Sequence, residues 1–358
     1  MAEDYRGSIN QLVQEMSRIY GIDPEIEVTG RPPTQASSNF LTNKEQGDWA
    51  EEIVFKAINE YSPDYVAIKC GRSESLSSGD PGFPEFYMDY QNELNTIGKK
   101  PDLLIFNKSD IDPSDIDLND EETVKQAIAA IEVRSSSFLA NKYAEYMDDR
   151  TKTAIGECQI IRNEILKPKM AELLESKRPE ILRMLKEATQ TTFFELDFRR
   201  SSWSSSAGLK QLSELLKSLK EQIKILHKRD YLSITPKLED IALVNRWVQQ
   251  FNVPHFYLQV FFDKAYVIPF KDILGIATNP DKEGSVFTVE GDVKNQNKTT
   301  IKINVQVGKE IIGKIDMPEH KSQMKELERG RLLFYVTFRG GHGYLDHDIF
   351  MSEIVENE

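Results

Sequence analysis

The stretch "AAIEVRSSSF" (129–138) decides how this chain is read, together with "KKPDLLIF" (99–106) upstream of it. Both are short apolar runs of the kind that form strands buried inside a sheet. Side chains alternate along a strand, so Ala130, Glu132 and Arg134 share one face while Ile131 and Val133 take the other. A charged Glu132 in such a strand is costly to bury unless it coordinates something or is paired. Asp102 begins its own strand, where Pro101 is tolerated before it.

Working outward, "TNKE" (42–45) has the form of a capping box, with Thr42 as N-cap and Glu45 three residues on. The helix that follows carries Trp49, Ala50, Ile53, Val54, Ala57 and Ile58 as its apolar stripe, and Glu51 stands at the stripe's border. "YVAIKC" (65–70) reads as a strand and "GRSESLSSGDPGFPEF" (71–86) as a loop. Downstream, Thr235 and Pro236 suit the N-cap and first position of a helix whose Ile241, Val244, Val248 and Phe251 recur at helical spacing. "HFYLQVFF" then reads as a strand that returns as a hairpin through "YVIPF".

The chain has 358 residues, 39% hydrophobic and 29% charged, an ordinary composition for a globular protein. It shows no apolar run near ~20 residues and no signal-peptide pattern, so a cytoplasmic protein is expected. Its two cysteines, Cys70 and Cys158, lack C-x-x-C spacing and are expected as free thiols. The net charge of −13 disfavours general affinity for nucleic acid, but binding uses one face, and basic residues gather in 197–210 and 217–230. The acidic stretch "NKSDIDPSDIDLNDEE" (107–122) lacks the central Gly and closing Glu of a calcium loop and reads as solvated.

An acid opening one strand, an acid on a neighbouring strand, a cation two residues on and a border Glu on the preceding helix together resemble the PD-(D/E)xK nuclease superfamily. The matching residues are Pro101-Asp102, Glu132-Val133-Arg134 and Glu51, and the resemblance covers roughly 42–134 and 231–275. Within that superfamily "RPPTQASSNFLTNKEQGDWAE" and "IEVRSSSF" look like the AccI-type group of Type II restriction endonucleases. The resemblance implies an α/β (α+β) core with a mixed central sheet flanked by helices. It implies Mg²⁺-dependent hydrolysis of double-stranded DNA, with Asp102, Glu132 and Glu51 as metal ligands. The family's third motif residue is Lys and here it is Arg134, which stays protonated and can stabilise charge but not act as a base. Base work would then fall to metal-bound hydroxide or the substrate phosphate. A displaced lysine is the alternative, with Lys237 ranked behind Arg134 and Lys142 also nearby in sequence.

The expected organisation is an N-terminal arm (1–41), the first part of the core (42–139), a helical insertion (140–230), the second part of the core (231–283) and a β-rich C-terminal region (284–358). In the insertion, Leu209, Leu212, Leu216, Leu219, Ile223 and Leu226 form a stripe that either packs on its own domain or serves a homodimer. Arg199, Arg200 and Ser201 in "RRSSWSSS" are candidate phosphate contacts, and Arg339 and His342 in "RGGHGYLDHDIF" are candidate base contacts. His342, Asp346 and His347 also raise a metal reading, against a plain glycine-rich turn. Two rivals share the core: a nuclease that cuts by DNA structure, and a DNA-binding module without catalysis.

Overall fold

The computed structural model describes residues 5–71, 76–113, 116–199, 201–292, 298–327 and 330–356. The chain divides into two compact units, one of residues 1–140 with 233–358, the other of residues 141–232.

The first unit begins with α1 (Tyr5–Tyr20), α2 (Ser38–Tyr61), β1 (Tyr65–Lys69), α3 (Phe83–Ile97), β2 (Leu103–Asn107), α4 (Glu121–Val124) and β3 (Ala129–Ser135). Between β3 and the chain's return come α5 (Ala140–Ile165), α6 (Pro168–Lys177), α7 (Pro179–Glu187) and α8 (Ala207–Leu226). The first unit then resumes with β4 (Ser233–Ile234), α9 (Ile241–Phe251), β5 (His255–Val260), β6 (Ala265–Pro269), α10 (Phe270–Ala277), β7 (Phe287–Asp292) and β8 (Lys298–Asn304). It ends with β9 (Lys309–Ile315), β10 (Glu319–Glu326), β11 (Leu332–Arg339), β12 (Gly343–Leu345) and α11 (His347–Phe350).

Seven strands form the central mixed sheet, in the order β1-β2-β3-β5-β6-β9-β12. β3 and β5 are parallel and the remaining described pairings in that sheet are antiparallel. The strands expected at "PDLLIF", "AAIEV", "HFYLQVFF" and "YVIPF" are all present, the last two as the β5–β6 hairpin. One face of the sheet packs on α2. Trp49, Ala50, Ile53, Val54, Ala57 and Ile58 bury against Leu103, Ile105, Ile131, Val133, Phe256 and Leu258. Each Ile, Val, Leu or Phe among them stabilises the fold by roughly 1.5–3 kcal/mol when fully buried, and a one-residue slip of β3 would lose that burial.

Two helix starts differ from the sequence expectation. α2 begins at Ser38, with Ser37 as N-cap accepting from the Phe40 N–H at 3.1 Å. Thr42 lies inside the helix and its Oγ1 accepts from the Val336 N–H of β11 at 3.2 Å, so a tertiary partner takes the hydroxyl assigned to the cap. Thr235 caps no helix either. Pairing of Ile234 with Ile303 and a bridge between Lys237 and Thr300 keep that segment extended, and a 3₁₀ turn at Leu238–Asp240 precedes α9. Thr235 Oγ1 instead donates to Gln259 Oε1 at 3.1 Å.

In the second unit the apolar stripe of α8 is consumed by the unit's own core. Leu212, Leu216, Leu219 and Ile223 pack with Ile161, Ile165, Leu174, Leu182 and Phe193. Of the two readings of this stripe, packing on its own domain is the one the structure shows: its side chains are buried within one chain.

Candidate active site

Glu132 is the centre of a buried cluster of charges. Its side chain leaves the face of β3 opposite the apolar core and is 3% exposed. Lys99 Nζ donates to Glu132 Oε1 and, at 3.0 Å, to Asp240 Oδ2. Arg134 Nη2 lies 3.0 Å from the same Glu132 oxygen and donates to Asp240 Oδ2 at 2.8 Å. Two cations thus bridge two carboxylates contributed by strand β3 and the turn before α9. Burial pushes both carboxyls up, but Lys99 and Arg134 outweigh it and hold Glu132 and Asp240 below the usual carboxylate range.

Local structure explains how Lys99 gets there. Gly98 has φ +83°, and a Cβ on it would lie 2.3 Å from the Leu243 carbonyl oxygen of α9. Only glycine permits that approach. The Lys99 N–H then donates to the same Leu243 oxygen at 3.0 Å, which binds the entry to β2 onto α9.

Asp102 is stitched between its neighbours. Its N–H donates to Ile131 O at 2.9 Å, its carbonyl accepts from Cys70 N at 2.9 Å, and its Oδ2 accepts from the Val133 N–H at 2.7 Å. The carboxyl therefore sits beside the residue that follows Glu132. Burial raises its pKa well above the carboxylate norm, and the charges of Glu132 and Glu51 raise it further. Glu51, Asp102 and Glu132 are thus within electrostatic reach of one another.

Among the described residues, no group of three or more His, Cys, Asp or Glu side chains is gathered closely enough to hold a metal ion. This holds for Glu51, Asp102 and Glu132, the ligand set expected from the sequence, as well as for His342, Asp346 and His347. At Glu132, however, Oε2 is buried with no hydrogen-bond partner. The Glu132 oxygen that Lys99 and Arg134 leave unpaired, and an Asp102 carboxyl repelled by Glu132 and Glu51, together favour added positive charge. The donor chemistry of Asp102 and Glu132, two carboxylates without a gathered third, suits a hard divalent cation, which takes carboxylate oxygens and retains several waters.

Other sequence candidates lie elsewhere. Lys237 stands near enough to Asp240 for its charge to help hold that carboxyl down, but its backbone is engaged with β8. Lys142 is exposed on α5 and belongs to the other unit. Arg199 is exposed and Ser201 half-buried in the segment before α8, while Arg200 lies outside the described residues. Arg339 ends β11 opposite Glu319, and it lines a surface depression with His342, Asp316 and Glu319. His342 Nε2 is 2.8 Å from the Tyr61 hydroxyl.

Sequence reasoning missed Lys99 and Asp240. Lys99 carried a usable signal, since it lies three residues before Asp102 in "KKPD", but its partner Asp240 is 141 positions away. Nothing local marks such a pairing.

The family model described as AccI restriction endonuclease matches residues 14–357. The chain belongs to the AccI restriction endonuclease family. Membership makes it a Type II restriction enzyme, a hydrolase that binds DNA and cuts it at specific sites. No curated protein and no solved structure matches it. Both cysteines of this AccI-family chain are free, with burial pushing the Cys70 thiol up to about 12. Among the described residues, no helix is long and apolar enough to cross a membrane.

Proposed function

We propose that the Glu132 cluster is the catalytic centre of a PD-(D/E)xK nuclease acting in the cytoplasm, which makes Mg²⁺-dependent double-strand breaks and leaves 5′-phosphates and 3′-hydroxyls. The single observation that carries this reading is the buried, partnerless Oε2 of Glu132 beside the electrostatically disfavoured carboxyl of Asp102. Asp102 and Glu132 would hold the Mg²⁺, with Glu51 contributing charge from α2. When bound, the ion supplies Lewis acidity toward phosphoryl oxygen and an acidified water.

The chain's own residues do the rest. Arg134 presents a permanently charged guanidinium that stabilises negative charge developing on the phosphoryl oxygens. It does not accept a proton. Lys99 adds a second cation at the same carboxylate oxygen, held there before substrate arrives. Its charged form is favoured by Asp240 and Glu132 despite burial, so it too stabilises and does not deprotonate. Symmetric cutting of a duplex calls for two such centres, which supports a homodimer formed through a surface other than the α8 stripe. Arg199, Arg200 and Ser201 are phosphate-contact candidates and Arg339 and His342 base-contact candidates within this reading.

The test is digestion of supercoiled plasmid by purified protein with and without Mg²⁺. Discrete fragments are expected only with the metal; a smear or junction-restricted cutting would favour a nuclease that reads DNA structure. Asp102→Ala and Glu132→Ala should each lower cleavage, measured per folded molecule, by at least about 1,000-fold. Full activity in either variant would overturn the site.

A further inference from the structure

Asp240 stands at the N-cap position of α9, where an aspartate ordinarily accepts from the helix's free N–H groups, yet its side chain makes no capping bond. Its carboxylate turns instead to Lys99 at 3.0 Å and Arg134 at 2.8 Å. The segment carrying Lys99 is bonded to α9 through Leu243, one turn beyond Asp240, at a contact only Gly98 allows. Asp240 and Lys99 therefore belong to one rigid corner of the fold.

Building on the proposed catalytic centre, we infer that Asp240 is a positioning residue, which keeps Lys99 and Arg134 fixed at the site when Glu132 shares its charge with a metal ion. Lys99 and Arg134 both rest on Oε1 of Glu132, whose Oε2 is the oxygen left for a metal. A carboxylate that also neutralises a divalent ion would hold its two cations less strongly, and buried cations without a full counter-charge are strongly disfavoured, so a second acceptor is needed. Asp240 is that acceptor, already in contact with both cations. It does not touch the reacting phosphate; it acts through Lys99 and Arg134.

The test uses Asp240→Asn, which preserves shape and removes charge, and Asp240→Glu, which preserves charge and shifts it. Three quantities are measured on the full chain: single-turnover cleavage in Mg²⁺, duplex affinity without divalent metal, and the rise in melting temperature caused by Mn²⁺. For Asp240→Asn the expected results are cleavage slower by about 100-fold, duplex affinity within about threefold, and a Mn²⁺-induced rise reduced by at least half. Asp240→Glu should recover about tenfold of the lost rate. Wild-type cleavage and an unaltered Mn²⁺ response in Asp240→Asn would overturn the inference, as would a loss of duplex affinity equal to the loss of rate. If Asp240→Asn fails to fold, Asp240→Glu decides: a slowed rate at a native melting temperature supports the role, and an unchanged rate overturns it. Asp102→Ala separates the two claims. Should it cleave normally, the catalytic reading itself fails; should it be inactive while Asp240→Asn cleaves normally, only the positioning role fails.

Discussion

The two faces of β3 enter opposite environments. Ile131 and Val133 enter the apolar core beneath α2, while Glu132 and Arg134, alternating with them, enter a buried network of charges with Lys99 and Asp240. One strand thus serves stability and chemistry through adjacent residues. The apolar face fixes β3 in register, and that register delivers Glu132 to its partners.

The largest test of this division replaces neighbours. Glu132→Ala should lower the cleavage rate of the folded protein by at least about 1,000-fold, whatever stability is lost with an acceptor of Lys99 and Arg134. Ile131→Ala should leave that rate unchanged while destabilising the fold by about 3 kcal/mol through the cavity it leaves. Denaturant unfolding with parallel cleavage assays distinguishes the two. A catalytic loss in Ile131→Ala beyond its loss of folded protein would dissolve the distinction between faces.

A smaller effect comes from the polar face further along β5. Register places His255 and Tyr257 beside Ala130 and Glu132, and His255 is 1% exposed with neither ring nitrogen partnered. Trp247, Tyr257 and Phe270 surround the ring, and the Tyr5 hydroxyl accepts from the His255 backbone N–H. Burial lowers its pKa from 6.5 to about 4, with Glu132 pulling upward and Lys99 downward. Between those values the unfolded chain takes up a proton that the folded chain refuses. Stability should therefore fall as pH drops through this window, by about 1.4 kcal/mol per pH unit and about 3 kcal/mol in total. In His255→Phe the contribution vanishes, so the acid-side slope of unfolding free energy should flatten. An unchanged slope would mean that His255 titrates normally in the folded protein.

The contrast between the faces also explains what the sequence discloses. Alternation in "AAIEV" is enough to separate Glu132 from Ile131, and short apolar or aromatic runs mark β2, β5 and β6 for the same reason: the pattern is local. Caps were less legible. Thr42 and Thr235 have the right chemistry for N-caps, but β11 and Gln259 compete for their hydroxyls from distant parts of the chain. The charge cluster was half legible. An acid stranded in an apolar run demands a partner, yet whether that partner is a metal, Arg134, Lys237 or Lys99 depends on where α9 packs. That packing is set by Gly98 and Leu243, residues that carry no chemistry of their own.

The finest test concerns Arg134, where the family pattern has lysine. Its guanidinium reaches Glu132 and Asp240 through one nitrogen, Nη2, while Nε is buried without a partner. A lysine could supply the charge from that position with one donor group, losing the planar fork that meets a phosphate through two parallel bonds. Arg134→Lys should accordingly keep cleavage within about tenfold of the native rate, a change near 1.4 kcal/mol. Single-turnover rates with saturating duplex measure it directly. A loss as deep as that of Glu132→Ala would show that the fork is indispensable and that Lys99 cannot substitute for it, whereas a native rate would assign the cation's work chiefly to Lys99, already seated on the same carboxylate oxygen.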